Sequence, residues 1–174
     1  MEYIKKYLKY VVILVSLNFL SITQVLSAEC TDLEISGSNT HVTIEDRVTI
    51  DNTSYAVTFD NTTNATLTNN GTIETTASGA NAIGVGGSDI STLTNNGTIT
   101  ADGNTAIRQG GTIGTLNNEE DGIIQADSSA ITNRTATGEI GTLNNKGTIR
   151  ATSGKNGINV TNGIIGKLNN SGTH

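Results

Sequence analysis

The sequence predicts an all-β solenoid, a chain wound into stacked coils of short strands. Three observations carry that expectation. Leu-x-Asn recurs at Leu67, Leu93, Leu116, Leu143 and Leu168, an interval that stays in the middle twenties without being constant. Asn, Gly and Thr punctuate each unit and leave isolated Ile, Leu, Val and Ala between them. No window beyond the N-terminal segment places apolar residues at i, i+3, i+4 and i+7, so an amphipathic helix is a poor reading. A period in the twenties is the mark of a chain whose units bury their apolar faces only against one another.

The segment 1–28 has a different character. Lys5, Lys6 and Lys9 form a basic start, Val11 to Leu20 is an apolar run, and Ser27 and Ala28 are small. This is the pattern of a secretory signal peptide, with cleavage expected between Ala28 and Glu29. The run is too short, and too interrupted by Asn18, Thr23 and Gln24, to read as a membrane-spanning helix.

Residues 29–66 are expected to form an N-terminal cap and a degenerate first coil. The cap would use Asp32-Leu33-Glu34-Ile35 and His41-Val42-Thr43-Ile44, and would cover the open end of the stack. Residues 47–66 carry apolar stations at Val48 to Ile50, Tyr55 to Phe59 and Ala65, in the order that the later units repeat.

Residues 67–174 are the repeats, the last of them cut short at His174. Each unit holds three apolar stations. The first is Ile73, Ile99, Ile124 and Ile149. The second is a small residue followed by Ile83, Ile107, Ile131 or Ile158. The third is Ile90, Ile113, Ile140 or Ile165, three residues before the next Leu. Strand side chains alternate between faces, so one or two apolar residues per strand suffice to fill a narrow interior. About four buried side chains cannot offset the conformational entropy of about 25 ordered residues, so a lone unit is expected to be unfolded. Asn69, Asn95, Asn118, Asn145 and Asn170 occupy the third position of every unit. In a stack they would lie about 4.8 Å apart and hydrogen-bond as a ladder, since an amide both donates and accepts.

The chain has 16 acidic and 10 basic residues and a formal net charge of −6. Removing the signal segment takes away Glu2, Lys5, Lys6 and Lys9 and leaves a more acidic balance, which disfavours nucleic acid as a partner. Pro and Trp are absent, and Tyr55 and Phe59 are the aromatics beyond the signal segment. Cys30 is the single cysteine, so no disulfide can form within the chain. Glu29 stands before it where a lipid-attachment motif needs a small residue.

No catalytic, cofactor-binding or metal-ligating set is predicted. His41 and His174 are isolated, and no Ser or Cys has a nucleophile motif around it. Gly86-Gly87-Ser88-Asp89 resembles a calcium-binding nonapeptide but occurs once. Glu119-Glu120-Asp121 reads as a solvated turn tip. Thr72, Thr98 and Thr148 suggest an outward Thr column suited to ice or another flat crystalline surface, but the uneven unit length argues against a regular array. The chain is therefore expected not to be an enzyme.

The closing-and-restart segments IGTLNN at Ile113 to Asn118, IGTLNNKGTI at Ile140 to Ile149 and IGKLNNSGT at Ile165 to Thr173 carry a resemblance. Behind a signal peptide, they resemble the passenger region of Gram-negative autotransporters of the β-helical surface-adhesin type. The resemblance implies a right-handed parallel β-helix, here of about five coils, each of roughly 23–27 residues. It also implies an outer-membrane barrel in a missing C-terminal part, with this chain as an N-terminal fragment. The expected role is a structural stalk of a surface-displayed or secreted passenger, meeting a host surface, a glycan or neighbouring cells without a cofactor. Localisation would be the cell surface, outer membrane or extracellular space at full length, and the periplasm for the chain as it stands. The alternative is a fragment of a secreted carbohydrate-active β-helix enzyme.

Overall fold

The computed structural model describes residues 11–13, 22–26, 32–46, 49–52 and 54–173. The expected cleavage junction at Ala28 and Glu29, together with Cys30, Val48 and His174, lies outside these residues.

The described chain is a parallel β-solenoid of about five turns. β1 (Val11–Ile13) and β2 (Ile22–Leu26) come first. A full coil then follows, made of β3 (Leu33–Ser38), β4 (Thr40–Ile44) and β5 (Thr49–Asn52). The second coil is β6 (Tyr55–Thr63), β7 (Ala65–Asn69) and β8 (Thr72–Thr75), and the third is β9 (Asn81–Val85), β10 (Asp89–Asn95) and β11 (Thr98–Ala101). The fourth is β12 (Thr105–Gln109), β13 (Thr112–Asn118) and β14 (Ile123–Ala126). The fifth is β15 (Ser129–Asn133), β16 (Glu139–Asn145) and β17 (Thr148–Ala151), after which β18 (Ile158–Val160) and β19 (Ile164–Asn170) begin another turn.

The three strands of each coil feed three sheets. Sheet 1 runs β1-β3-β6-β9-β12-β15-β18, sheet 2 runs β2-β4-β7-β10-β13-β16-β19, and sheet 3 runs β5-β8-β11-β14-β17. Every pairing is parallel. The segment read as a cap is itself part of the stack: β3 pairs with β6, β4 with β7 and β5 with β8. Leu33, Ile35, Val42, Ile44 and Ile50 are buried like their counterparts further along. The short alternating pieces that suggested a cap are half-buried strands with one inward face each.

The interior is a narrow core of stacked like residues. Ile50, Ile73, Ile99, Ile124 and Ile149 are in register on sheet 3. Ile83, Ile107 and Ile131 are in register on sheet 1, and Leu67, Leu93, Leu116 and Leu143 on sheet 2. All of these are fully buried. Ile165 and Leu168 keep the register of sheet 2, but no described coil covers them, and Leu168 is 53% exposed.

Two backbone requirements explain the Gly positions of the motif. Ile90 and Leu93 both point inward although three positions separate them, which strict alternation forbids. The register shift between Ile90 and Thr92 absorbs the extra residue as a bulge. In the next coil the bulge position is Gly114, where a Cβ would stand 2.7 Å from the Ser91 carbonyl oxygen. At the corner before sheet 3, a Cβ on Gly97 would fall on the carbonyl oxygen of Gly71, and Gly147 meets that of Gly122 in the same way. Successive coils touch through bare backbone there.

Candidate functional site

The repeat is most regular at the corner between sheets 2 and 3. Asn69 Nδ2 donates to Asn95 Oδ1, Asn95 to Asn118 and Asn118 to Asn145, each at 2.8 Å, and Asn145 donates to Asn170 at 2.7 Å. The second amide proton of each finds a backbone carbonyl of the following turn, such as Thr98 for Asn69 and Thr148 for Asn118. The column starts at Asn69 because Ile44 occupies the equivalent place one coil earlier, and Asn69 Oδ1 is buried without a hydrogen-bond partner. From Asn69 to Asn145 the column is buried, so it closes a corner and does not face a ligand, while Asn170 at its end is exposed.

A second polar corner, between sheets 1 and 2, escaped the sequence reading. Phe59, Val85, Gln109, Asn133 and Val160 share one register position. Gln109 Nε2 donates to the carbonyls of Gly111 and Glu139, and Asn133 Nδ2 to those of Gly138 and Ile164. The amides tie down the turns that leave sheet 1. The signal was present in the sequence, since Gln and Asn replace Val at one offset, but Phe and Val at the same offset masked it.

The outward Thr residues are distributed differently from expectation. Ile123 falls in register between Thr98 and Thr148, which interrupts the column proposed on sheet 3. A longer row lies on sheet 2, where Thr66, Thr92, Thr115 and Thr142 are in register and half-buried. Beside it Asn144 donates to Asn117 and Asn169 to Asn144, so much of that surface satisfies itself.

The place where the repeat breaks its own pattern is the outer face of sheet 1. Thr58, Gly84, Arg108 and Thr132 succeed one another in register. A Cβ at Gly84 would stand 2.7 Å from both Cδ1 and Cε1 of Tyr55, so the missing side chain lets the Tyr55 ring lie against the sheet. Arg108 Nη1 donates to Tyr55 Oη across 3.2 Å, joining two positions that are distant in sequence. Around them lies an open groove of about 500 Å³, bordered by Asp60, Gly86, Gly110 and Arg134. Arg134 and Thr135 belong to the protruding, exposed turn 134–137, which closes back through the Asn133–Gly138 hydrogen bond. Thr135 Oγ1 donates to the Gly110 carbonyl across 3.1 Å and holds that turn beside the groove. Among the described residues, no carboxylate lies within ion-pair distance of Arg108 or Arg134.

Apart from Asp60, the acidic residues lie away from this groove. Asp51 and Glu74 are in register on the outer face of sheet 3. Burial, then the charges of Asp51 and Asp102, raise the Glu74 pKa above the usual carboxylate range. Glu119 accepts an ion-paired hydrogen bond of 2.7 Å from Lys146, which raises the lysine pKa. Among the described residues, no group of three His, Cys, Asp or Glu side chains is arranged to hold a metal ion. Compared with protein-family models, curated proteins and solved structures, the chain matches none.

Proposed function

We infer that this chain is the structural stalk of an exported passenger of the autotransporter kind, displayed at the surface or secreted, and engaged in adhesion to a host surface, a glycan or neighbouring cells. The observation that carries the reading is the continuous parallel stacking of all three sheets, reinforced by a polar column at one corner. A stack of this kind is stiff along its axis, because each coil is fixed to both neighbours by strand hydrogen bonds and shared core residues. Its outer faces are mostly Thr, Asn and charged side chains, a surface suited to solvent and to many weak contacts repeated along one axis.

Export is the part of this reading most open to direct test. Cleavage between Ala28 and Glu29 would remove β1 and β2 and make β3 and β4 the leading edges of their sheets. The experiment is to produce the full chain with a C-terminal tag in a Gram-negative host. The cells are then fractionated and the intact mass of the recovered protein measured. A periplasmic or extracellular product beginning at Glu29 supports the reading. A cytoplasmic product that retains the segment 1–28 overturns it.

A further inference from the structure

We propose that the groove on sheet 1 is a binding site for a carboxylate-bearing oligosaccharide, with Tyr55 as the stacking platform and Arg108 and Arg134 as the carboxylate-binding pair. This goes beyond a stalk, which needs nothing on its outer face but solubility.

Four features of the groove point the same way. Gly84 interrupts a row otherwise made of polar and charged residues (Glu34, Thr58, Arg108, Thr132 and Asn159), and the vacated space is filled by the Tyr55 ring. Core packing does not require this, since Gly84 lies on the outer face while Ile83 and Val85 fill the interior. An aromatic ring laid against a sheet offers a flat face for the C–H side of a sugar ring, the same use of a rigid amphipathic ring that makes Tyr common in recognition surfaces. Tyr55 and Phe59 are the aromatic residues beyond the signal segment, and Phe59 is buried in the core beneath the same groove.

The charge pattern selects the class of sugar. In a chain of net charge −6, two guanidinium groups border one groove, and among the described residues neither has a carboxylate partner. Arg presents a planar fork of donors that matches a carboxylate bidentately. The Tyr55 hydroxyl fixes Arg108 in place before any ligand arrives. Asp60, the single carboxylate on the groove wall, opposes a second acid close to it and accepts hydrogen bonds from sugar hydroxyls instead.

The dimensions select an oligomer. Tyr55, Gly84, Arg108 and the Arg134 turn belong to four successive coils, so the groove runs along the axis for three strand spacings, about 14 Å. It is open and shallow, which suits a chain of sugar rings laid along it.

The test is calorimetric titration of the full-length chain with a galacturonic acid trimer and, separately, with its uncharged methyl ester. The acid trimer is expected to bind, and the ester to bind at least roughly tenfold more weakly. Arg108→Gln and Arg134→Gln are each expected to weaken binding of the acid roughly tenfold. Arg150→Gln, on sheet 3, is expected to change nothing. Gly84→Ala pushes the Tyr55 ring from its seat and is expected to weaken binding of acid and ester alike. If that variant melts early, Tyr55→Leu replaces it. Equal binding of acid and ester, an unchanged Arg108→Gln titration, or no binding by the parent chain at millimolar trimer would each overturn the proposal.

Discussion

Asn95 donates a 2.8 Å hydrogen bond to Asn118 in the next coil, and Asn118 passes an identical bond to Asn145. Each amide is therefore acceptor to the coil before it and donor to the coil after it. Asn118→Ala would leave Asn145 Oδ1 buried without its donor and is expected to cost about 1–3 kcal/mol. Asn118→Asp keeps the shape but removes both protons, and turns a carboxylate towards Asn145 Oδ1 and the carbonyls of Gly122 and Thr148. It is expected to cost more than the alanine at pH 7 and to recover part of the difference when acid protonates it. Urea melts of the two variants at pH 7 and pH 4 check the order.

Leu143 is fully buried on sheet 2 between Leu116 and Leu168. Leu143→Asn places an unpartnered amide among apolar neighbours and forfeits the burial, at an expected cost of about 3–5 kcal/mol. Hydrogen exchange should show protection lost first in β13, β16 and β19, with β6 to β8 retained. Unchanged protection across all strands would contradict the stacked core.

Gly97 and Gly87 separate backbone contact from glycine content. A Cβ at Gly97 lands on the Gly71 carbonyl oxygen, whereas one at Gly87 meets nothing within 4 Å. Gly97→Ala is expected to lower the melting temperature clearly, by overpacking worth about 1–3 kcal/mol. Gly87→Ala is expected to leave it within error. Paired thermal melts decide the matter.

Glu74 gives the pH dependence a sign. Its folded pKa is raised by burial and by the charges of Asp51 and Asp102. A raised folded pKa means the native state holds the proton more tightly than the unfolded chain, so this contribution favours folding below the unfolded pKa. It disappears as pH rises through the folded value. Glu74→Gln is therefore expected to stabilise the chain at pH 7 and to bring no gain below the ordinary glutamate range. Melting temperatures across pH 3 to 8 for the parent and the variant would show the two curves separating as pH rises.

Much of the fold was legible because the core tolerates so little. An interior one or two side chains wide admits Ile, Leu, Val and Ala, and forces them to recur at each turn, as Ile73, Ile99, Ile124 and Ile149 do. The Asn column was legible for the same reason, since a corner has one place for an amide. The lead-in was harder to read because β3 and β4 lack the Leu-x-Asn start, with Ile44 standing where later coils have Asn. The groove was not legible as a unit. Gly84 and Arg108 follow the same station in their units, but Tyr55 and Arg134 sit at other offsets in two further coils, so only the winding of the chain brings the four together.

The uneven unit length acquires a meaning once the register is known. Units of unequal length keep like residues paired on all three sheets, so most of the difference is absorbed where the chain turns, as in the exposed stretch 134–137, and one residue of it in the bulge at Ser91. Insertion and deletion at the turns are thus nearly independent of the core that sets the winding. Such an architecture lets the surface diversify while the scaffold beneath stays unchanged.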